Sequence, residues 1–162
     1  MKHAADYTLQ VAAELERLGR TFYDSLALGC GNARIAALAA SLAKAEEEHV
    51  ATFVRMRQAL PRELRGPNLS PKELAEAVGE LRARVMPNGR TVREAVLSTD
   101  LGKTLEMAID MEAGVVAFYS ELAADFAQQD AEILTEIVNE EREHLAMLRE
   151  VHRILLATSA EA

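Results

Sequence analysis

One spacing, present twice, does most to constrain what this chain can fold into. Glu46 and His49 lie three residues apart within Glu46-Glu47-Glu48-His49, and Glu141 and His144 repeat that spacing within Asn139-Glu140-Glu141-Arg142-Glu143-His144. Each pair follows a stretch with a Glu seven residues before a Tyr: Glu16 and Tyr23 in the first half, Glu112 and Tyr119 in the second. The halves are offset by 96 residues for the Glu and Tyr positions and by 95 for the ExxH positions. A repeat with its polar residues in register implies a duplicated helical hairpin. Residues three and four apart share one face of a helix, so each half turns carboxylates, an imidazole and a phenol toward one side.

The surrounding pattern is helical throughout, with few Gly and Pro to interrupt it. A first helix is expected over 4–28, where Leu9, Ala12, Glu16, Gly19, Tyr23 and Ala27 follow steps of three and four. Gly29-Cys30-Gly31-Asn32 supplies a stop, and a second helix is expected over 33–60, closed by Pro61. All four prolines fall between 61 and 99, together with Gly66, Gly79 and Gly89. That segment is too long for a tight turn between neighbours and suits a crossover along a bundle. Within it, Ser70-Pro71-Lys72-Glu73 reads as the start of a short helix over 71–84, and Met86-Pro87-Asn88-Gly89 as a turn. Helices over 100–127 and 129–156 carry Leu105, Ala108, Glu112, Val115 and Tyr119, then Leu134, Ile137, Glu141, His144 and Leu148, on their inward faces; the tail from Thr158 is expected to fray. The expectation is an all-α single domain over 1–162: hairpin one at 4–60, a crossover with a short helix at 61–99, and hairpin two at 100–157.

Composition narrows the function. A net charge of −8 argues against nucleic acid and anionic membranes, both of which call for a basic surface. The most apolar run, 35–42, is far shorter than a membrane span, and the start Met1-Lys2-His3-Ala4 has no signal-peptide character, so a cytoplasmic location is expected. The one cysteine, Cys30, excludes an intrachain disulfide framework and is read as a loop residue.

Glu16 is a charge on an otherwise apolar face, which is costly unless paired or metal-bound. With Glu112, and with Glu46/His49 and Glu141/His144, it completes a known recipe for a two-metal site in a bundle core: one Glu from each of two helices and an ExxH from each of the other two. Four crowded carboxylates repel in a low-dielectric core and take up protons if left empty; two divalent cations balance them. Oxygen and nitrogen donors of this mix suit iron or manganese, and zinc also binds such sets. Tyr23 and Tyr119, two turns beyond their Glu, are placed to hydrogen-bond a ligand carboxylate on a facing helix. Glu47, Glu48, Glu140 and Glu143 are assigned to a solvated face, and Met56, Met107, Met111 and Met147 to core or interface packing.

These residues carry a family resemblance. Glu16-x-x-Gly19-x-x-Phe22-Tyr23, Glu46-x-x-His49, Glu112-x5-Phe118-Tyr119 and Glu141-x-x-His144 resemble the ferritin-like superfamily, and within it the rubrerythrin-like branch without a rubredoxin domain. The resemblance implies a ferritin-like four-helix bundle with a long crossover between its second and third long helices. It implies two iron ions bridged by Glu46 and Glu141, with Glu16 and His49 on one and Glu112 and His144 on the other. It further implies reduction of hydrogen peroxide or oxidation of ferrous iron by oxygen, a separate electron-donor protein, and a homodimer. Val115 stands where rubrerythrins carry an additional Glu, so the set is closer to the six-ligand centre of bacterioferritin; Glu47 stands where bacterioferritin has its haem-ligating Met. An iron-binding or iron-sensing module without turnover would use the same residues, and a purely structural bundle would have to keep all six without metal.

Overall fold

A computed structural model describes residues 4–85, 100–126 and 128–160, and among them the chain is all-helical. The helices are α1 (Ala4–Gly29), α2 (Ala33–Ala59), α3 (Pro71–Val85), α4 (Leu101–Asp125) and α5 (Gln128–Ala160), with a 3-10 turn at Arg62–Leu64. The expected turn at Met86–Gly89 and the rest of the expected crossover, 90–99, lie outside the described residues.

Each long helix buries the stripe that its periodicity marks. In α1 the buried face includes Leu9, Ala12, Leu15, Glu16, Gly19, Phe22, Tyr23 and Leu26. In α2 it includes Ile35, Leu42, Glu46, His49 and Phe53. Leu105, Met111, Tyr119, Leu134 and Leu148 complete the core from α4 and α5. α1 runs close along α2, and α4 along α5. Between the hairpins the long side chains of Glu, His and Tyr bridge the gap, so the middle of the bundle is a polar layer between apolar ones. Met56 and Met111 pack in the core, whereas Met147 stands exposed.

The ends of the helices are fixed by identifiable groups. The α1–α2 turn is closed by Asn32, whose side chain accepts from the amides of Arg34 (3.0 Å) and Ile35 (3.2 Å). No glycine among the described residues adopts a positive φ, so the capping asparagine, not a left-handed glycine, sets this turn. Ser70 and Glu73 form a reciprocal capping box at α3: the Ser70 amide donates to Glu73 (2.7 Å) and the Glu73 amide to Ser70 Oγ (3.3 Å). Asp100 caps α4 by accepting from the Lys103 amide. α5 continues past the expected end to Ala160, and the Thr158 hydroxyl bonds back to the carbonyls of Ile154 and Leu155.

The chain leaving α2 is tied down by a buried polar knot that the helical pattern does not announce. Arg57 Nε donates to Asp6 (2.8 Å), its Nη1 to Asn68 (2.7 Å) and its Nη2 to the Gly66 carbonyl (3.3 Å). Gln10 donates to Asp6 and accepts from the Leu69 amide (2.8 Å). Asp6 is buried, so Arg57 and Gln10 supply the hydrogen bonds it loses from water. The knot sets where α3 starts, and α3 then packs against α1 and α4. No described helix is long and apolar enough to cross a membrane.

Candidate metal centre

Glu16, Glu46, His49, Glu112, Glu141 and His144 meet at the polar layer, and all six are buried. Their donor atoms form two overlapping groups. One consists of Glu16, Glu46, His49 and Glu141, the other of Glu46, Glu112, Glu141 and His144; within each, one donor atom per residue lies within 4.8 Å of the others. Glu46 and Glu141 belong to both groups. Each group has the size and donor chemistry to hold one cation.

The two hairpins are stitched together through the phenols. The Tyr23 hydroxyl donates to Glu112 Oε1, and the Tyr119 hydroxyl donates to Glu16 Oε1. Both rings are fully buried. Burial, reinforced by the neighbouring carboxylates (first Glu112 for Tyr23, first Glu16 for Tyr119), pushes both phenols well above their ordinary range, so they remain proton donors.

The rings of His49 and His144 stack with centroids 6.0 Å apart. His49 Nδ1 lies 2.8 Å from Glu141 Oε1, 3.6 Å from Glu16 and 4.0 Å from Glu46. Its Nε2 points outward and lies 2.9 Å from Glu140 Oε2. His144 Nδ1 lies 3.0 Å from Glu141 Oε2. Glu140 does lie on the solvated face, exposed over more than half of its side chain, and its carboxylate also meets the outer nitrogen of a buried imidazole. Helical periodicity separates Glu140 from Glu141 by about 100°, and its partner lies in the other hairpin, so spacing within the helix carries no sign of the contact. Glu47 and Glu48 do lie at the surface, paired with Arg20 (2.9 Å) and Lys44 (3.6 Å). A groove of about 280 Å³ between α2 and α5, bordered by Glu48, Thr52, Glu136 and Glu140, has His49 among its walls.

The buried charges of the cluster shift one another's protonation. Burial pushes the Glu46 carboxyl well above its ordinary range, and Glu16, Glu141 and Glu112 push the same way. Burial does the same to Glu112, reinforced by Glu141. For Glu141, burial is outweighed by hydrogen bonding and charge attraction from His144 and His49, which hold it at about 2. For His49, burial is outweighed by the carboxylates of Glu141 and Glu16, which raise it to about 11. Protons thus do part of the work of cations. They do it incompletely: Glu112 Oε2 is buried with no hydrogen-bond partner, and His49 Nδ1 and Glu141 Oε1, 2.8 Å apart, meet as a charge pair without hydrogen-bond alignment. Buried polar atoms left without partners are costly, and all three are atoms that a cation would occupy. The donor set fits a metal.

These directions predict a pH profile for the metal-free protein. The raised carboxyls of Glu46 and Glu112 cost stability as pH climbs above the ordinary 4.5. The contribution of His49 is full below its ordinary 6.5 and is lost as pH rises toward about 11. The contribution of Glu141 is present above 4.5 and is lost as pH falls toward about 2. Melting temperature should therefore peak in weakly acidic solution, around pH 5, and fall on both sides. Thermal melts in chelator across pH 3 to about 10 check this; a melting temperature that holds steady or climbs from pH 5 to 9 would contradict it.

Comparison with protein-family models, curated proteins and solved structures returned no match to this chain. The case for function therefore rests on the site itself.

Proposed function

We propose that this protein is a non-haem di-iron oxidoreductase of the ferritin-like, rubrerythrin-like kind, reducing hydrogen peroxide or oxidising ferrous iron with oxygen. The observation that carries the reading is the pair of buried donor groups sharing Glu46 and Glu141. Sharing two carboxylates is what lets two cations sit close together, about 3.5–4 Å apart in two-metal sites. In this reading Glu16 and His49 complete one position, and Glu112 and His144 the other. Iron held there would supply the electrons for reducing peroxide or oxygen.

The remaining work falls to the chain's own residues. Four helices deliver one or two donors each, so the site is positioned by rigid elements, not by loops. Tyr23 and Tyr119 keep one oxygen of Glu112 and of Glu16 engaged, which restricts how those carboxylates turn. The surrounding Leu, Phe and Met side chains exclude bulk water, and the groove beside His49 borders the site. Electrons come from outside, since the single cysteine leaves no CxxC pair for an iron–sulfur centre within the chain.

The test is anaerobic ferrous loading followed by stoichiometric peroxide or oxygen, with the near-ultraviolet absorbance of ferric iron recorded over time. Rapid colour, with repeated turnover once a reductant is supplied, is the expected result; a faster response to peroxide selects peroxidase over ferroxidase. Iron that binds but does not oxidise would leave an iron-binding or iron-sensing module.

A further inference from the structure

The duplication is imperfect at one place that touches the site. Glu140 immediately precedes the ExxH of α5 and accepts a hydrogen bond from His49 Nε2 at 2.9 Å. A carboxylate accepts, so Nε2 carries a hydrogen, and the inward Nδ1, 2.8 Å from Glu141, is the nitrogen a cation would take once its proton is displaced. Nδ1 also has no aligned partner of its own. The matching position in α2, one residue before Glu46, is Ala45. Alanine cannot accept a hydrogen bond through its side chain, and among the described residues no carboxylate other than Glu141 comes within 4 Å of a His144 ring nitrogen. His144 also turns Nδ1 toward Glu141, at 3.0 Å, so the two imidazoles face the cluster alike and differ in the carboxylate outside it.

We infer that Glu140 is a positioning residue for His49, and that it makes the two metal positions unequal: the Glu16/His49 position binds a divalent cation more tightly than the Glu112/His144 position. This rests on the two-metal reading above. The physical reason is general. An imidazole that donates its outer N–H to a carboxylate is locked in the tautomer and orientation that ligation needs, and is a more basic ligand; losing such an outer partner costs about 10- to 100-fold in metal affinity. Among the described residues, only the His49 half of the duplicated site has that partner. The charged groups that border the contact are Glu48 and Glu136 at the groove, with Arg55 beside them; among the described residues Glu140 pairs with His49 alone.

The test uses the full chain, stripped with chelator and titrated with cobalt(II), whose visible absorbance reports occupancy. H144A retains the Glu16/His49 position, and H49A retains the Glu112/His144 position. H144A should bind cobalt about 10- to 100-fold more tightly than H49A. Adding E140A should remove that advantage in the H144A background and leave H49A unchanged; E140Q, which still offers an acceptor to Nε2–H, should recover part of it. Glu140 is exposed over more than half of its side chain, so its replacement should leave the fold intact. A loss of packing alone would weaken both backgrounds equally. Should a histidine variant fail to fold, the wild-type cobalt protein gives the same answer by nuclear magnetic resonance. The shifted imidazole N–H of His49 should exchange slowly with solvent and that of His144 quickly, and E140A should make both quick. Equal affinities in the two histidine variants, equal losses on adding E140A, or equal exchange rates would overturn the inference while leaving the two-metal site standing. No cobalt binding by folded wild-type protein would overturn the site and the inference together.

Discussion

Loading the chelator-treated protein with a divalent cation should raise its melting temperature by roughly 5–15 °C. The estimate has two parts. A ligand at 100 to 1,000 times its dissociation constant stabilises the folded state by about 3–4 kcal/mol, and about 1 kcal/mol moves the melting point of a domain this size by 2–4 °C. The source of the effect is specific to this core. Without metal, Glu46 and Glu112 hold protons that burial forces on them, and His49 stays protonated against Glu141 and Glu16. A cation replaces those protons and gives Glu112 Oε2, which has no hydrogen-bond partner, a positive charge to face. Metal uptake should therefore release protons, and affinity should fall as pH falls, because the ligands must first be deprotonated. Calorimetry in buffers of different ionisation enthalpy measures the protons, and scanning calorimetry with and without chelator measures the shift. Equal melting temperatures in the two states would count against a metal site.

Replacing Glu46 or Glu141 should abolish tight binding at both positions together, since each carboxylate belongs to both donor groups. Loss of a ligand from one position alone, as in Glu16→Ala or Glu112→Ala, should spare the other. The metal-free proteins should then diverge. Glu46→Ala removes a carboxyl that burial and three neighbours already keep protonated, so metal-free stability should change little. Glu141→Ala strands His49 and His144, which lie 2.8 Å and 3.0 Å from its oxygens, by removing the negative charge that faces both rings. Losing one partner of a buried charge pair costs about 3–5 kcal/mol. The melting point of metal-free Glu141→Ala should accordingly fall by at least about 6 °C. Metal content by elemental analysis and melting curves on both variants decide the matter.

Both replacements follow from residues that the sequence marks plainly. Glu16, Glu46, Glu112 and Glu141 are charges at core positions of apolar helical faces, and a spacing that recurs about 95 residues later is hard to arrange except by duplication. Periodicity also puts Tyr23 and Tyr119 on those faces. What it does not show is that each phenol crosses to the other hairpin, Tyr23 to Glu112 and Tyr119 to Glu16. Pairings of that kind depend on how far apart the hairpins sit, a distance no single helix encodes. Glu140 is hidden for the same reason, as is the Asp6–Arg57–Gln10 knot, in which Arg57 reaches Asp6 across 51 residues and the Leu69 amide reaches Gln10 across 59. The helix ends show a more local limit. Gly29 and Gly31 flank the first turn, but the Asn32 side chain satisfies the free amides and makes a left-handed residue unnecessary. Thr158, a residue that reads as loop-forming, extends α5 by bonding its hydroxyl to the preceding turn.

The most direct test of the central claim is an anaerobic ferrous titration of the chelator-treated chain, with bound iron counted by equilibrium dialysis and the fold followed by circular dichroism. Two irons per chain, reduced to none by Glu46→Ala with helicity intact, is the predicted result. A folded wild-type chain that retains no iron would contradict it and would leave the duplicated cluster as a feature of bundle architecture alone.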